Sequence, residues 1–399
     1  MYKFNDLMFR YFGYSEATSV RLMYLLLFGT LLFGTAFTKL HLAGPLYLHD
    51  AFLILTIVAC SFRFRLPPQS IPIYLILALS FLYLIFSVAT RVGTEGVMLR
   101  QFATFLYLLC FYFLVGQVKD VNSSINFLIA TGYCSICLQS FQVVKTIGSG
   151  LPMFDIYNYY SPSVVIGIIV FASYTFTRKN WSFATKSVLI LLSVFLSTTT
   201  GHSSAFLSVV IVGLTFLFLR SDSKSKFVIL FSGNFVVLLL WLFLPQFQDK
   251  NASWRLTIWN HLLTQAFFEN HLMLGNGFGM PFFDDELSSK LFENYGSVGF
   301  FDLSKPLERF VTSGHSFLLT FTFYIGLIPS LLLLLPLIKG GIYAFKGVKV
   351  RSQEGDFLLL TLIGLFIWAS FNMVVELPHS VGYFWLIYFT SSSVFDLTK

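Results

Sequence analysis

Apolar stretches of bilayer-crossing length recur along this chain from Leu22 to Val394, most of them separated only by short polar breaks. A crossing needs roughly 17 to 25 residues of helix, and windows of that kind give about twelve of them. They lie near Leu22 to Phe37, Leu46 to Phe62, Ile71 to Ala89, Val97 to Val115, Ile125 to Val144 and Val164 to Phe176. The series continues with a short one at Ser187 to Leu196, then Ser204 to Leu219, Phe227 to Leu244, Ser316 to Ile338, Phe357 to Val375 and Val381 to Val394. Composition agrees: 56% of residues are hydrophobic, 11% are charged and the mean hydropathy is +0.75, a combination outside the range of soluble domains. The expected fold is all-α, a single integral membrane domain over residues 1–399 with about twelve transmembrane helices. Residues 1–20 mix polar, aromatic and charged side chains, unlike a cleavable signal peptide.

The net charge of +7 would suggest nucleic acid in a soluble chain; here it reads as topology, with no nucleic-acid partner. With the N-terminus inside, 17 of the 26 Lys and Arg residues fall in inner segments. Only Lys39, Arg91, Arg100 and Lys145 fall in short outer ones. Cytoplasmic loops collect basic residues, so both termini are expected in the cytoplasm. The four cysteines all lie in apolar segments. Cys134 and Cys137 form a mid-helix CxxC with no second pair, which fits small buried side chains better than zinc or redox chemistry.

One connection breaks the pattern. Residues 245–314, between the ninth and tenth crossings, form a long outer loop, the one segment able to build a site of its own. Within it SWRLTIWNHLLTQAFF, Ser253 to Phe268, has the rhythm of an amphipathic helix lying along the membrane surface, with Ser253 as its N-cap. Arg255 and Trp259 are four apart and share a face. The guanidinium could serve an active site or snorkel to lipid phosphate, while the indole seats in the interface. LGNGFGM, Leu274 to Met280, has alternating glycines without the strand or GK[ST] of a nucleotide loop; it reads as a tight turn bringing backbone close to the membrane helices. Asp284, Asp285 and Glu286 read as a solvated acidic turn or a divalent-metal site.

All seven histidines fall on the outer side or its edge. His315 opens the tenth crossing directly after the long loop, where an imidazole of ordinary pKa near 6.5 could take a proton. Arg100 sits about a turn into the fourth crossing, where hydrocarbon makes a guanidinium costly without an anion or an interior partner. STTTGHSS, Ser197 to Ser204, clusters hydroxyls and His202; it suits sugar hydroxyls or phosphate, or a solvated turn.

Three stretches together resemble the O-antigen polymerase and O-antigen ligase family of bacterial inner-membrane glycosyltransferases. They are RLTIWNHLLTQAFFENHLMLGNGFG, carrying Arg255, Trp259, Gly275, Gly277 and Gly279; GHSFLLTFTFYIGLIPSLL, carrying His315; and TTTGHSSAFLSVV. In the last the chain departs from the family, with His202 where an arginine is common. The resemblance implies a large periplasmic loop and a donor glycan on undecaprenyl pyrophosphate. It also implies an acceptor hydroxyl on a second lipid-linked repeat unit, and a product that is O-antigen, capsule or exopolysaccharide. His315 would accept the acceptor's proton with inversion at the anomeric carbon. Arg255 and Arg100 would hold the departing pyrophosphate, supported by Arg91 and His202 with Trp259 alongside. The scheme calls for no metal and no other cofactor, and leaves room for a chain-length regulator as a partner.

Two rivals remain at this level. A ligase would transfer the finished polymer to lipid A core with the same loop and histidine. A polysaccharide flippase would need ionisable residues near mid-membrane and paired broken helices; the charges here cluster at helix ends.

Overall fold

The computed structural model describes residues 16–43, 46–61, 71–90, 95–117, 121–150, 161–222, part of 225–235, 250–268, 271–295, 315–347 and 349–397. These are almost wholly helical. The helices are α1 Glu16–Thr38, α2 Leu48–Ser61, α3 Ile71–Thr90, α4 Glu95–Gln117, α5 Val121–Gly148, α6 Ser161–Thr177, α7 Phe183–Thr198 and α8 Ser203–Arg220. They continue with α9 Lys250–Phe268, α10 His271–Leu274, α11 Asp285–Tyr295, α12 Phe317–Ile325, α13 Leu327–Leu331, α14 Leu335–Ala344, α15 Gln353–Ala369 and α16 Pro378–Leu397. Among the described residues the exception to helix is a small antiparallel ribbon, β1 His41–Ala43 with β2 Leu46–Tyr47, which the apolar windows had no means of revealing.

Five helical segments among the described residues are long and apolar enough to cross a membrane: Ile71–Thr90, Gly96–Val115, Val121–Gly148, Ser203–Arg220 and Leu327–Ala344. The protein is a helical, membrane-embedded one. The seventh expected crossing is a regular helix from Phe183, longer than its apolar window. The ninth, near Phe227 to Leu244, lies mostly outside the described residues.

The tenth differs in kind. The sequence suggests one crossing from Ser316 to Ile338, but the helix stops at Ile325 and restarts at Leu327. Gly326 stands between at φ +91°, and a Cβ there would run into the Met273 carbonyl oxygen. The segment of crossing length is Leu327–Ala344, and α12 is a separate nine-residue helix with seven residues buried.

At the centre, α15 and α16 are packed on nearly all sides. Trp368, Tyr383, Phe384 and Trp385 are fully enclosed, and Phe317 of α12 meets Phe366 edge-on at 4.9 Å. Buried hydroxyls spend their hydrogen bonds one turn back along their own helices, as Ser173 does on the Ile169 carbonyl (2.8 Å) and Ser208 on that of Ser204 (2.7 Å). An apolar interior tolerates them only on those terms.

Hydrogen bonds define two ends of the bundle. At one, Asn372 Nδ2 donates to Ser204 Oγ at 2.6 Å and the Ser163 hydroxyl donates to the His379 carbonyl, joining the starts of α6, α8 and α16. At the other, Arg351 Nη1 donates to the Ala344 carbonyl at 3.0 Å, Nη2 donates to that of Leu219, and Nε pairs with Asp356 at 3.4 Å. The buried guanidinium is thus held by a carboxylate and two carbonyls.

Candidate functional site

The first of these ends carries the residues that the sequence singles out. Helix α9 buries Trp254, Ile258 and Leu262, a spacing of four that lays one stripe against the bundle. It begins at Lys250, so Ser253 lies inside its first turn and is not its N-cap. That frame fixes Arg255 beside the stripe, its guanidinium 5.4 Å from the Trp254 ring centre. Trp254 also meets the His315 ring edge-on at 4.6 Å.

His315 is buried, and it is the one non-glycine residue with positive φ among those described, at +51°. A side chain in the left-handed region costs about 1–2 kcal/mol, a conformation that surrounding contacts must enforce. Desolvation, then the Arg255 guanidinium, then His202 hold its imidazole well below the ordinary 6.5. Desolvation and Arg255 lower His202 to about 4. Both rings are therefore neutral at pH 7. His202 precedes α8 and lies near Trp368, ring centres 6.4 Å apart.

Arg255, His202 and His315, from three segments far apart in sequence, thus form one cluster within electrostatic range of one another: a guanidinium with two neutral imidazoles. Trp259 is half-buried against Phe371 at 5.5 Å, in a protein contact where a lipid-interface position was expected. Arg100 is exposed, one turn into α4; it and Glu376 both lie within electrostatic range of the Tyr324 phenol. Arg91 lies outside the described residues.

The glycine turn does what its sequence suggests. Gly275, Gly277 and Gly279 have φ of +78°, +74° and +92°, and a Cβ on Gly275 would sit 2.8 Å from the Tyr324 carbonyl oxygen. Asn276 N–H donates to the Phe323 carbonyl (2.6 Å) and Gly277 N–H to that of Tyr324 (3.1 Å), the carbonyls that the end of α12 leaves open. Gln101 accepts from Gly279 N–H at 2.6 Å and donates to the Met280 carbonyl at 3.1 Å. Ser87 Oγ accepts from Phe278 N–H at 2.9 Å.

Of the acidic trio, Asp284 is committed: it accepts from Leu287 N–H at 2.7 Å, capping α11, and meets His261 Nε2 at 2.9 Å. Asp285 and Glu286 are exposed in the first turn of that helix. Among the described residues no three His, Cys, Asp or Glu side chains come together as metal ligands.

Sequence reasoning missed the loop from Ser370 to Leu377. It reaches Trp259 through Phe371, Ser204 through Asn372, and α12 through Glu376, which accepts from the Thr320 hydroxyl at 2.6 Å. The signal available was a carboxylate and an amide at the edge of an otherwise apolar hairpin. No known family profile and no curated protein sequence matches the chain.

Proposed function

We propose that the chain is a membrane glycosyltransferase that joins undecaprenyl-pyrophosphate-linked repeat units into a surface polysaccharide on the outer face of the bacterial inner membrane, with both termini cytoplasmic. The observation that carries the reading is the convergence of Arg255, His202 and His315 from three separate segments onto one end of the helical bundle. A diphosphate leaving group gathers negative charge in the transition state, and a guanidinium fixed in a desolvated setting stabilises that charge more than water does. Two neutral imidazoles beside it supply N–H donors without a competing positive charge. The resemblance gives His315 the acceptor's proton; in this reading it instead faces the diphosphate held by Arg255, and a bound anion would also lift the electrostatic penalty on protonating it. Arg100, exposed on α4, is available to a second anionic group.

Purified protein in lipid vesicles, supplied with the lipid-linked repeat unit extracted from cells lacking this chain, should produce a ladder of polymers. Arg255→Ala should lower the rate at least a hundredfold, and chelators should leave it unchanged. Transfer of preformed polymer to lipid A core without laddering would assign the chain as a ligase. Absence of both products would remove the reading.

A further inference from the structure

The cluster around Arg255 supplies a leaving-group side but not the group that receives the attacking proton. Inversion places the attacking hydroxyl and the departing diphosphate on opposite faces of the anomeric carbon. In inverting glycoside hydrolases the two catalytic carboxyl groups accordingly stand roughly 6.5–9.5 Å apart. His315 meets the same Trp254 ring as Arg255, at 4.6 Å and 5.4 Å from its centre, and feels that guanidinium's charge, which assigns it to the diphosphate side.

Helix α12 leads from that side to another. Ser316 stands at its N-cap position, and Ser316, Thr320 and Tyr324 recur every four residues, a polar stripe on a helix whose other residues, Thr322 apart, are apolar. From Ser316 to Thr320 the helix rises about 6 Å. There the Thr320 hydroxyl donates to Glu376 Oε1 at 2.6 Å. Glu376 belongs to the Ser370–Leu377 loop, which Asn372 pins to Ser204 beside His202, and Phe371 to Trp259. Two anchors thus tie its loop to the bundle, and its carboxylate is held by Thr320, about one helical turn along α12 from Ser316.

We infer that Glu376 is the catalytic base, taking the proton of the acceptor hydroxyl; this rests on the glycosyl-transfer reading above. The acceptor O–H bond breaks with its proton passing to a Glu376 carboxylate oxygen, and the freed oxygen bonds to the anomeric carbon. The bond from that carbon to the diphosphate oxygen breaks, its electron pair remaining on the diphosphate beside Arg255. Glu376 returns its proton to water before the next turnover. Thr320 is a positioning residue, holding the carboxylate without touching substrate.

The vesicle assay with the extracted repeat unit tests this. Glu376→Gln should reduce turnover about 100- to 10,000-fold while KM changes less than threefold, and should lose the acid limb of the pH profile that the unaltered chain shows. Glu376→Asp should keep measurable turnover and that limb, and formate should restore part of the turnover of Glu376→Ala. Thr320→Val should lower turnover about tenfold and gain nothing from formate. Melting temperature reports whether each variant folds. Glu376→Gln turning over within threefold of the unaltered chain overturns the assignment, as does a folded Glu376→Ala that ignores formate. If the unaltered chain makes no polymer, the glycosyl-transfer reading fails first and takes the assignment with it.

Discussion

His315 combines a left-handed backbone, burial and two neighbours that disfavour its protonation. Asparagine tolerates the same backbone region, so His315→Asn should leave membrane protein level and melting temperature within a few degrees of the original while abolishing chain extension. The histidines also set a pH dependence. Their folded-state pKa values lie below the ordinary 6.5, His202 at about 4, so the unfolded chain binds protons more readily than the folded one. Their contribution to stability is complete above pH 6.5 and is lost as pH falls, for His202 between about 6.5 and about 4. Melting temperature in detergent should therefore drop across that interval, and His202→Gln should flatten the drop. His315, Arg255 and His202 were legible because an ionisable group beside an apolar run stands out. Glu376 and Trp254 were not. A glutamate in a short connection looks solvated, and helical spacing alone paired Arg255 with Trp259, whereas the tertiary contact that matters to His315 runs through the preceding indole.

Between the glycine turn and α12, backbone meets backbone. Gly275 and Gly326 face each other so closely that neither has room for a methyl group, and both have positive φ. Gly326→Ala should cost about 1–3 kcal/mol from conformation alone, with the clash against the Met273 carbonyl added. Gly341→Ala, at a helical position with nothing within 4 Å of the new carbon, should be neutral or stabilise by up to about 1 kcal/mol. Thermal unfolding of the two variants side by side separates a general intolerance of substitution from this specific contact. The alternating glycines announced a close approach in the sequence. The interruption at Gly326 did not, because hydropathy windows average over residues and are blind to backbone angles; Gly326 followed by Pro329 was the local trace it left. Likewise the true start of α9 at Lys250 lay in polar residues that carry no apolar rhythm.

For the molecule as a whole, apolar density identified a helical membrane protein, and the ordering of charged and apolar segments located most helices to within a few residues. The partition of the ends was less accessible, since it depends on contacts such as Asn372 with Ser204 and Arg351 with Leu219 that join segments more than 130 residues apart. The proposed orientation puts α11 in the periplasm and the α14–α15 connection in the cytoplasm. In a variant with the four native cysteines replaced, Ser289→Cys should react with a membrane-impermeant maleimide in intact cells, and Lys349→Cys only after lysis. The opposite pattern would invert the assignment of the site to the periplasmic face.

Helix α12 has nine residues, about 13.5 Å of rise against some 30 Å of hydrocarbon, and two of its final carbonyls are bonded by the turn that precedes it in the chain. It has no independent life in lipid. Residues 276–279 hold it to α3 and α4 through Ser87 and Gln101, so this segment is keyed into its place like a stone in an arch rather than standing as one more rod through the bilayer.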